Sequence, residues 1–242
     1  MTDLLYHTDS YLKEFDATVM AQNEEMHAIL LDRTAFFPGG GGQPYDKGTI
    51  VTENGVFTLT RARYGAEGVW HILEGETPLP AQESQIHGVL DWELRYKHMR
   101  THTAMHVLCG TIFRDYGALV TGGEMEPLHA RMDFEFENLH KDLVQVIEDS
   151  VNAEIEKEHD VRVKILPREE AFQIPDLIRT KINLLPPEIQ NIRTIEIVGL
   201  DLQADGGTHV HNTREVGRIR IPDYKSKGKI NKRIYVELAD IG

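Results

Sequence analysis

WELRYKHMRTHTAMHVLCGTIFRDYG, residues 92–117, is where this sequence changes character. The stretch is long, has no proline, spaces its apolar residues for a helix and ends at Gly117, a natural stop. The preceding ninety residues read differently. EFDATVMAQ, EMHAILLD, GTIVTENGVFTLTRARY, GVWHILEG and IHGVLD are short alternating or β-branched runs, punctuated by Asn54-Gly55, Gly65, Gly75 and Pro78/Pro80. Such spacing predicts a small barrel or a sandwich. After the helix, HARMDFEF reads as a strand and Asn138 as the cap of a helix over LHKDLVQVIEDSVNAEIEKEH. VRVKIL reads as a strand, REEAFQI as a short helix and NIRTIEIVGLDLQ as one further strand. VGRIRI and KRIYVEL close the chain as strands around a lysine-rich loop. The expected organisation is α+β, with a β-domain over 1–90 and an α+β domain over 91–242.

At 242 residues, with 40% hydrophobic and 27% charged residues, the chain has the make-up of a soluble globular protein. No apolar run approaches the roughly 20 residues that cross a bilayer. The N-terminus, MTDLLYHTDSYLKEFD, lacks a basic region followed by an apolar one, so a cytoplasmic location without membrane contact is expected. The single cysteine, Cys109, excludes an internal disulfide framework. Net charge is −13, yet 214–233 carries eight basic residues against only Glu215 and Asp223. A basic strip on an acidic body can dock a phosphate backbone with strong salt dependence; its plainer reading is a solvated loop.

Within the helix lies His102-Thr-Ala-Met-His106. Side chains four apart share a helix face, and two imidazoles at that spacing can reach one zinc ion at about 2.0–2.1 Å each. No glutamate follows His102, so the metalloprotease arrangement with its built-in base is absent. Ninety-nine residues after His106 comes Asp205-Gly-Gly-Thr-His209, at the end of an apolar run. Its glycines allow a tight turn that can aim Asp205 and His209 at one centre. The pooled reading is a four-ligand site of three imidazoles and one carboxylate, and the plain alternative is a glycine turn with exposed histidines. Cys109 shares roughly the histidines' face, but within VLCGTIF it reads as core.

Three segments, FFPGGGGQPYDKG (36–48), MRTHTAMHVL (99–108) and DLQADGGTHVHNTREVG (201–217), together resemble the AlaX-type alanyl-tRNA editing proteins, free-standing relatives of the editing domain of alanyl-tRNA synthetase. The likeness spans nearly the whole chain, and the glycine-rich segment places it with the medium-length form. The resemblance implies a small N-terminal β-barrel followed by an α+β, alanyl-tRNA synthetase-like editing domain. It also implies a zinc-dependent hydrolase that deacylates Ser-tRNA(Ala), and Gly-tRNA(Ala) as well, while sparing Ala-tRNA(Ala). Carried over, the zinc ligands are His102, His106, Asp205 and His209, one ion per chain. Asp205 departs from the commoner pattern, which has cysteine there.

Seryl and alanyl esters differ by one hydroxyl, which buried polar groups select better than an apolar pocket does. Thr34, Gln43 and Thr121 are candidates for that task, and Gly40, Gly41 and Gly42 would let backbone approach the tRNA end. Thr208 and Gln43 are candidates for the chemistry itself, and the N–H groups of Gly206 and Gly207 for an oxyanion. The expected partner is mischarged tRNA(Ala), with no DNA. Rival readings are a metal-dependent hydrolase of small esters and a non-catalytic tRNA-binding module.

Overall fold

Strand alternation organises the first of two compact units, Met1–Lys97. Its strands are β1 (Asp3–Leu4), β2 (Glu14–Asn23), β3 (Ala28–Leu31), β4 (Arg33–Thr34), β5 (Gly48–Thr52), β6 (Gly55–Tyr64), β7 (Val69–Leu73) and β8 (Gln85–Leu90). Six of them close a barrel in the order β2-β3-β7-β6-β5-β8, with β8 pairing back onto β2. On β2 the inward residues are Phe15, Ala17 and Val19, and on β6 they are Phe57, Leu59 and Ala62. Closure needs bending, and the register shifts between Val19 and Ala21 and between Leu59 and Arg61 supply it. The computed structural model describes every residue except 138, 181–184, 186, 188, 241 and 242.

The glycine-rich segment is a loop between β4 and β5. Gly39, Gly40, Gly41 and Gly42 have φ of +87°, +145°, +60° and +92°, a run that side-chain-bearing residues do not sustain. Gly40 and Gln43 exchange backbone hydrogen bonds of 3.0 and 2.9 Å across it. The base of the loop is tied down by Asp46, which accepts from the Phe37 N–H at 2.6 Å. Asp46 also pairs with Arg95, both side chains being buried. Breaking one partner of such a pair leaves a buried, uncompensated charge.

Helix α1 (Trp92–Tyr116) begins where the sequence changes character, and the division between the units, Lys97 to His98, falls within it. Every residue from 98 to 112 is buried, polar ones included. Buried polar groups need partners. Arg100 donates to the carbonyls of Glu215, Val216 and Ala239, and Thr101 accepts from the Leu128 N–H.

The second unit, His98–Gly242, continues with β9 (Val120–Glu126), β10 (His129–Glu135), α2 (Lys141–Ile155), β11 (Val161–Pro167), α3 (Arg168–Ala171), β12 (Asn191–Ile197), β13 (Asp201–Ala204), β14 (Ile219–Arg220), β15 (Tyr224–Ser226) and β16 (Asn231–Leu238). An antiparallel sheet runs β14-β16-β10-β9, with β15 also on β16, and a second one runs β11-β12-β13. On α2, Val144, Ile147, Val151 and Ile155 are buried, and Asn152 exchanges hydrogen bonds of 2.8 and 2.9 Å with the backbone of Ile219 on β14. Asn138, the expected cap of α2, lies outside the described residues; His140 occupies the N-cap position and accepts from the Leu143 N–H.

Two elements differ from the sequence reading. VTGGEME is a strand, because its antiparallel partner β10 holds it although two adjacent glycines have no strand preference of their own. NIRTIEIVGLDLQ is a hairpin, β12 turning at 198–200 into β13, rather than one strand. The turn brings Asp201 opposite Ile197. Among the described residues no helix is long and apolar enough to cross a membrane.

Candidate metal centre

His102 and His106 lie one turn apart on α1, while Asp205 and His209 flank the Gly-Gly turn that follows β13. One ligand atom from each falls within 4.8 Å of all the others. The ring centroids of the three imidazoles are 4.3, 4.8 and 5.2 Å apart. Asp205 Oδ1 is 3.5 Å from His102 Nε2, and Asp205 Oδ2 is 3.0 Å from His209 Nε2. Four donors about 2.0–2.1 Å from a tetrahedral ion stand about 3.3 Å from one another. The carboxylate–imidazole separations match that spacing, and three imidazoles with one carboxylate suit a divalent cation of intermediate softness. This group could hold a metal ion.

The turn is fixed from several sides. The Gly207 N–H donates to Asp205 Oδ2 at 2.7 Å, and Arg193 donates to the carbonyls of Asp205 and Gly207 at 3.0 and 2.8 Å. Thr103 Oγ1 accepts from the Val210 N–H at 3.2 Å and lies 3.1 Å from His209 Nδ1. His106 Nδ1 lies 3.2 Å from Asp201 Oδ2. His209 and His106 thus have their Nδ1 sides engaged.

Burial is the largest influence on every ring. It lowers His102 to about 4, with the neighbouring His106 and Arg193 adding to it against the pull of Asp205. Burial and His102 likewise hold His209 well below the usual range. His106 moves the other way, because its hydrogen bond to Asp201 and the Asp205 charge outweigh burial. Asp205, although burial pushes it up, is held well below the usual carboxylate range by His102 and His209. Neutral His102 and His209 are in the protonation state that metal ligands require, whereas Asp201 and Asp205 hold His106 toward its charged form.

The remaining expected residues are placed as follows. Thr208 is fully buried next to His209. The Gly207 N–H, expected to be available for an oxyanion, is instead taken by Asp205; a carboxylate two residues back satisfies it within the turn. Gly206 is exposed. Thr121 is exposed and donates to Asn231 Oδ1 at 2.9 Å. In the barrel unit Thr34 is fully buried, with its hydroxyl 2.8 Å from His71 Nε2 and accepting from the Phe36 N–H. Gln43 is buried, whereas Gly40, Gly41 and Gly42 are exposed. Cys109 is buried with its thiol pushed far up by burial, and it stands outside the ligand group.

Sequence reading missed Asp201, Thr103 and Arg193, which support the site without joining it. Thr103 carried a signal, being the neighbour of His102 and one turn from His106. Arg193 carried another, as a cation inside an apolar strand.

The basic strip is less uniform than its sequence. Arg233 pairs bidentately with Asp133 at 2.7 and 2.8 Å. Lys225 pairs with Asp223, Arg214 with Glu158, and buried Lys232 donates to the carbonyls of Gly228 and Lys229. Arg218, Arg220, Lys227 and Lys229 are exposed and form no ion pair among the described residues.

Comparison with known proteins agrees with this architecture. Residues 7–94 match the family model of class II (A) tRNA synthetases, and residues 192–235 match that of the threonyl and alanyl tRNA synthetase second additional domain. Barrel and cage therefore define a protein of the synthetase-associated class. Over 237 residues the chain is 41% identical to the alanyl-tRNA editing protein AlaX-M of Saccharolobus solfataricus, covering 97% of this chain and 98% of that one. The AlaX-M protein of Methanosarcina mazei is 37% identical over 246 residues, covering 99% and 98%. The alanine–tRNA ligase of Pyrococcus furiosus is 35% identical over 223 residues, 91% of this chain but 24% of the ligase. The chain belongs to the AlaX-M family of alanyl-tRNA editing proteins.

Proposed function

We propose that this protein edits alanyl-tRNA by hydrolysing the ester of Ser-tRNA(Ala) and Gly-tRNA(Ala) in the cytoplasm, sparing Ala-tRNA(Ala), and that its cage holds one zinc ion. The observation that carries the reading is the convergence of His102, His106, Asp205 and His209 in a chain that aligns end to end with editing proteins. Zinc in that cage would supply Lewis-acid polarisation, by orienting the ester or by activating a water.

The chain's own residues do the rest. Asp205 gives the cage a negative charge, offsetting part of the cation's. Arg193 and the Gly207 N–H hold the turn rigid, so the ligands are pre-set rather than ordered on binding. Thr208, beside a ligand, and Gln43 are the candidates for supporting the charge that develops on the ester oxygen. Substrate recognition falls to Thr34, Gln43 and Thr121, with Gly40, Gly41 and Gly42 admitting the tRNA end. Thr34 suits the task of selecting a hydroxyl because His71 fixes the orientation of its own.

The test pairs metal analysis of the purified protein with deacylation of Ser-, Gly- and Ala-tRNA(Ala). The expected result is one zinc per chain, with loss of the seryl and glycyl esters and survival of the alanyl ester. Turnover of free aminoacyl esters at the same rate would instead make it a small-ester hydrolase. Binding of tRNA without turnover would make it a binding module.

A further inference from the structure

We infer that Asp201 is a positioning residue for the metal cage, acting through His106. The inference rests on the metal reading above and adds to it a residue that is not a ligand. A neutral imidazole carries one ring proton and can give the other nitrogen's lone pair to a metal. A carboxylate beside Nδ1 draws the proton there, freeing Nε2 for the ion and fixing the plane of the ring. Asp201 Oδ2, 3.2 Å from His106 Nδ1, stands where that carboxylate belongs.

Asp201 is itself held in place. Its side chain is fully shielded from solvent. Gln203 Nε2 donates to the same Oδ2 at 2.6 Å, and Arg179 Nε approaches Oδ1 at 3.4 Å. Both holders are anchored on α1: Gln203 Nε2 also reaches Cys109 Sγ at 3.4 Å, and the Arg179 guanidinium lies 3.8 Å over the Phe113 ring. This gives Cys109, Gln203 and Arg179 a shared purpose that packing alone leaves unexplained.

Gly110 makes the approach possible. A Cβ at 110 would come 2.8 Å from Asp201 Cβ and 3.1 Å from Leu200 Cγ, so the β12–β13 hairpin reaches the helix only because that position has no side chain. A chain that needed only to bury a hairpin here would place an apolar residue at 201; a buried aspartate is a poor strand former and a costly one.

The test measures zinc affinity by competition with a chromophoric chelator and the visible spectrum of the cobalt-substituted protein. The proteins compared are the full-length chain, Asp201→Asn and Gln203→Ala. Asp201→Asn keeps the shape and removes the charge; zinc binding should weaken about 10- to 100-fold with an altered cobalt spectrum, in a metal-free protein that still folds although Arg179 loses its buried anionic partner. Gln203→Ala should weaken it several-fold in the same direction. Affinities within about twofold of the unaltered chain for both variants, with unchanged spectra, overturn the inference while leaving the metal site standing. Should Asp201→Asn fail to fold, Gln203→Ala decides by the same criterion. An unaltered chain that binds no zinc overturns the metal reading itself, and the inference with it.

Discussion

His71 in the barrel and His102 on α1 share one electrostatic fate in different company. Both are buried, and burial lowers both to about 4. His71 has the Thr34 hydroxyl at 2.8 Å and the backbone of Ile29 and Val69 as its polar company, with no second imidazole and no carboxylate among its partners in the described residues. His102 faces a carboxylate at 3.5 Å and two further imidazoles with ring centroids 4.3 and 5.2 Å away. Burial thus neutralises these two histidines alike and says little about their use. Convergence of several donors with an anion is what distinguishes a group that could hold a metal ion, because a shared cation satisfies lone pairs gathered out of water.

That contrast can be broken most directly at the cage. Removing an outer hydrogen bond to a metal ligand weakens binding about 10- to 100-fold, so removing a direct donor weakens it more. His209→Ala should lower deacylation by more than about 100-fold and abolish stoichiometric zinc. Circular dichroism of the barrel strands should stay unchanged, and a variant that keeps both activity and zinc removes His209 from the centre.

The barrel's histidine should instead report on stability. Its folded value of about 4 lies below the unfolded value of about 6.5, so its contribution is complete above pH 6.5 and is lost as pH falls toward 4. At about 1.4 kcal/mol per pH unit the loss amounts to roughly 3 kcal/mol. Denaturant titrations of the metal-free protein at several pH values should show a shallower acid slope for His71→Gln than for the unaltered chain. Equal slopes would mean that His71 is not buried neutral.

A smaller effect sharpens the comparison from the cage side. Asp205→Cys replaces a hard oxygen by a thiolate and should tighten zinc binding by on the order of tenfold, at the expense of manganese. Weaker zinc binding in this variant would argue that the Gly207 N–H and His209 need an oxygen at that position. Smallest of all is the effect on the basic strip, whose charges are exposed. Changing the unpaired Arg218, Lys227 and Lys229 to glutamate should raise KM for tRNA several-fold. The salt slope of binding should fall by about one for each phosphate no longer neutralised. Identical KM and slope would leave the strip a solvated loop.

Much of this architecture is legible in the sequence, since local rules act on neighbours. The barrel strands announce themselves through alternation at Phe15-Ala17-Val19 and Phe57-Leu59. The long helix follows from its composition, and the two halves of the cage from a four-residue spacing and a glycine turn. The strand at 120–126 and the hairpin turn at 198–200 were not legible, because pairing with the adjoining strand, rather than the strand preference of their own residues, fixes them. The ion pairs of Arg214 and Arg233 were hidden by distance along the chain: Asp133 lies a hundred residues from Arg233 in sequence and directly opposite it across two strands.

The chain's own order of residues specified which groups were available: three imidazoles, one carboxylate, and a loop only glycine can form. Tertiary structure alone decided their roles. It buried a helix rich in polar residues on every side, set Asp201 behind His106, and committed the Gly207 N–H to Asp205 rather than to a substrate. The reason is that periodicity encodes which face a residue takes, whereas the partner met on that face depends on chain closure over about a hundred residues, which no local pattern records.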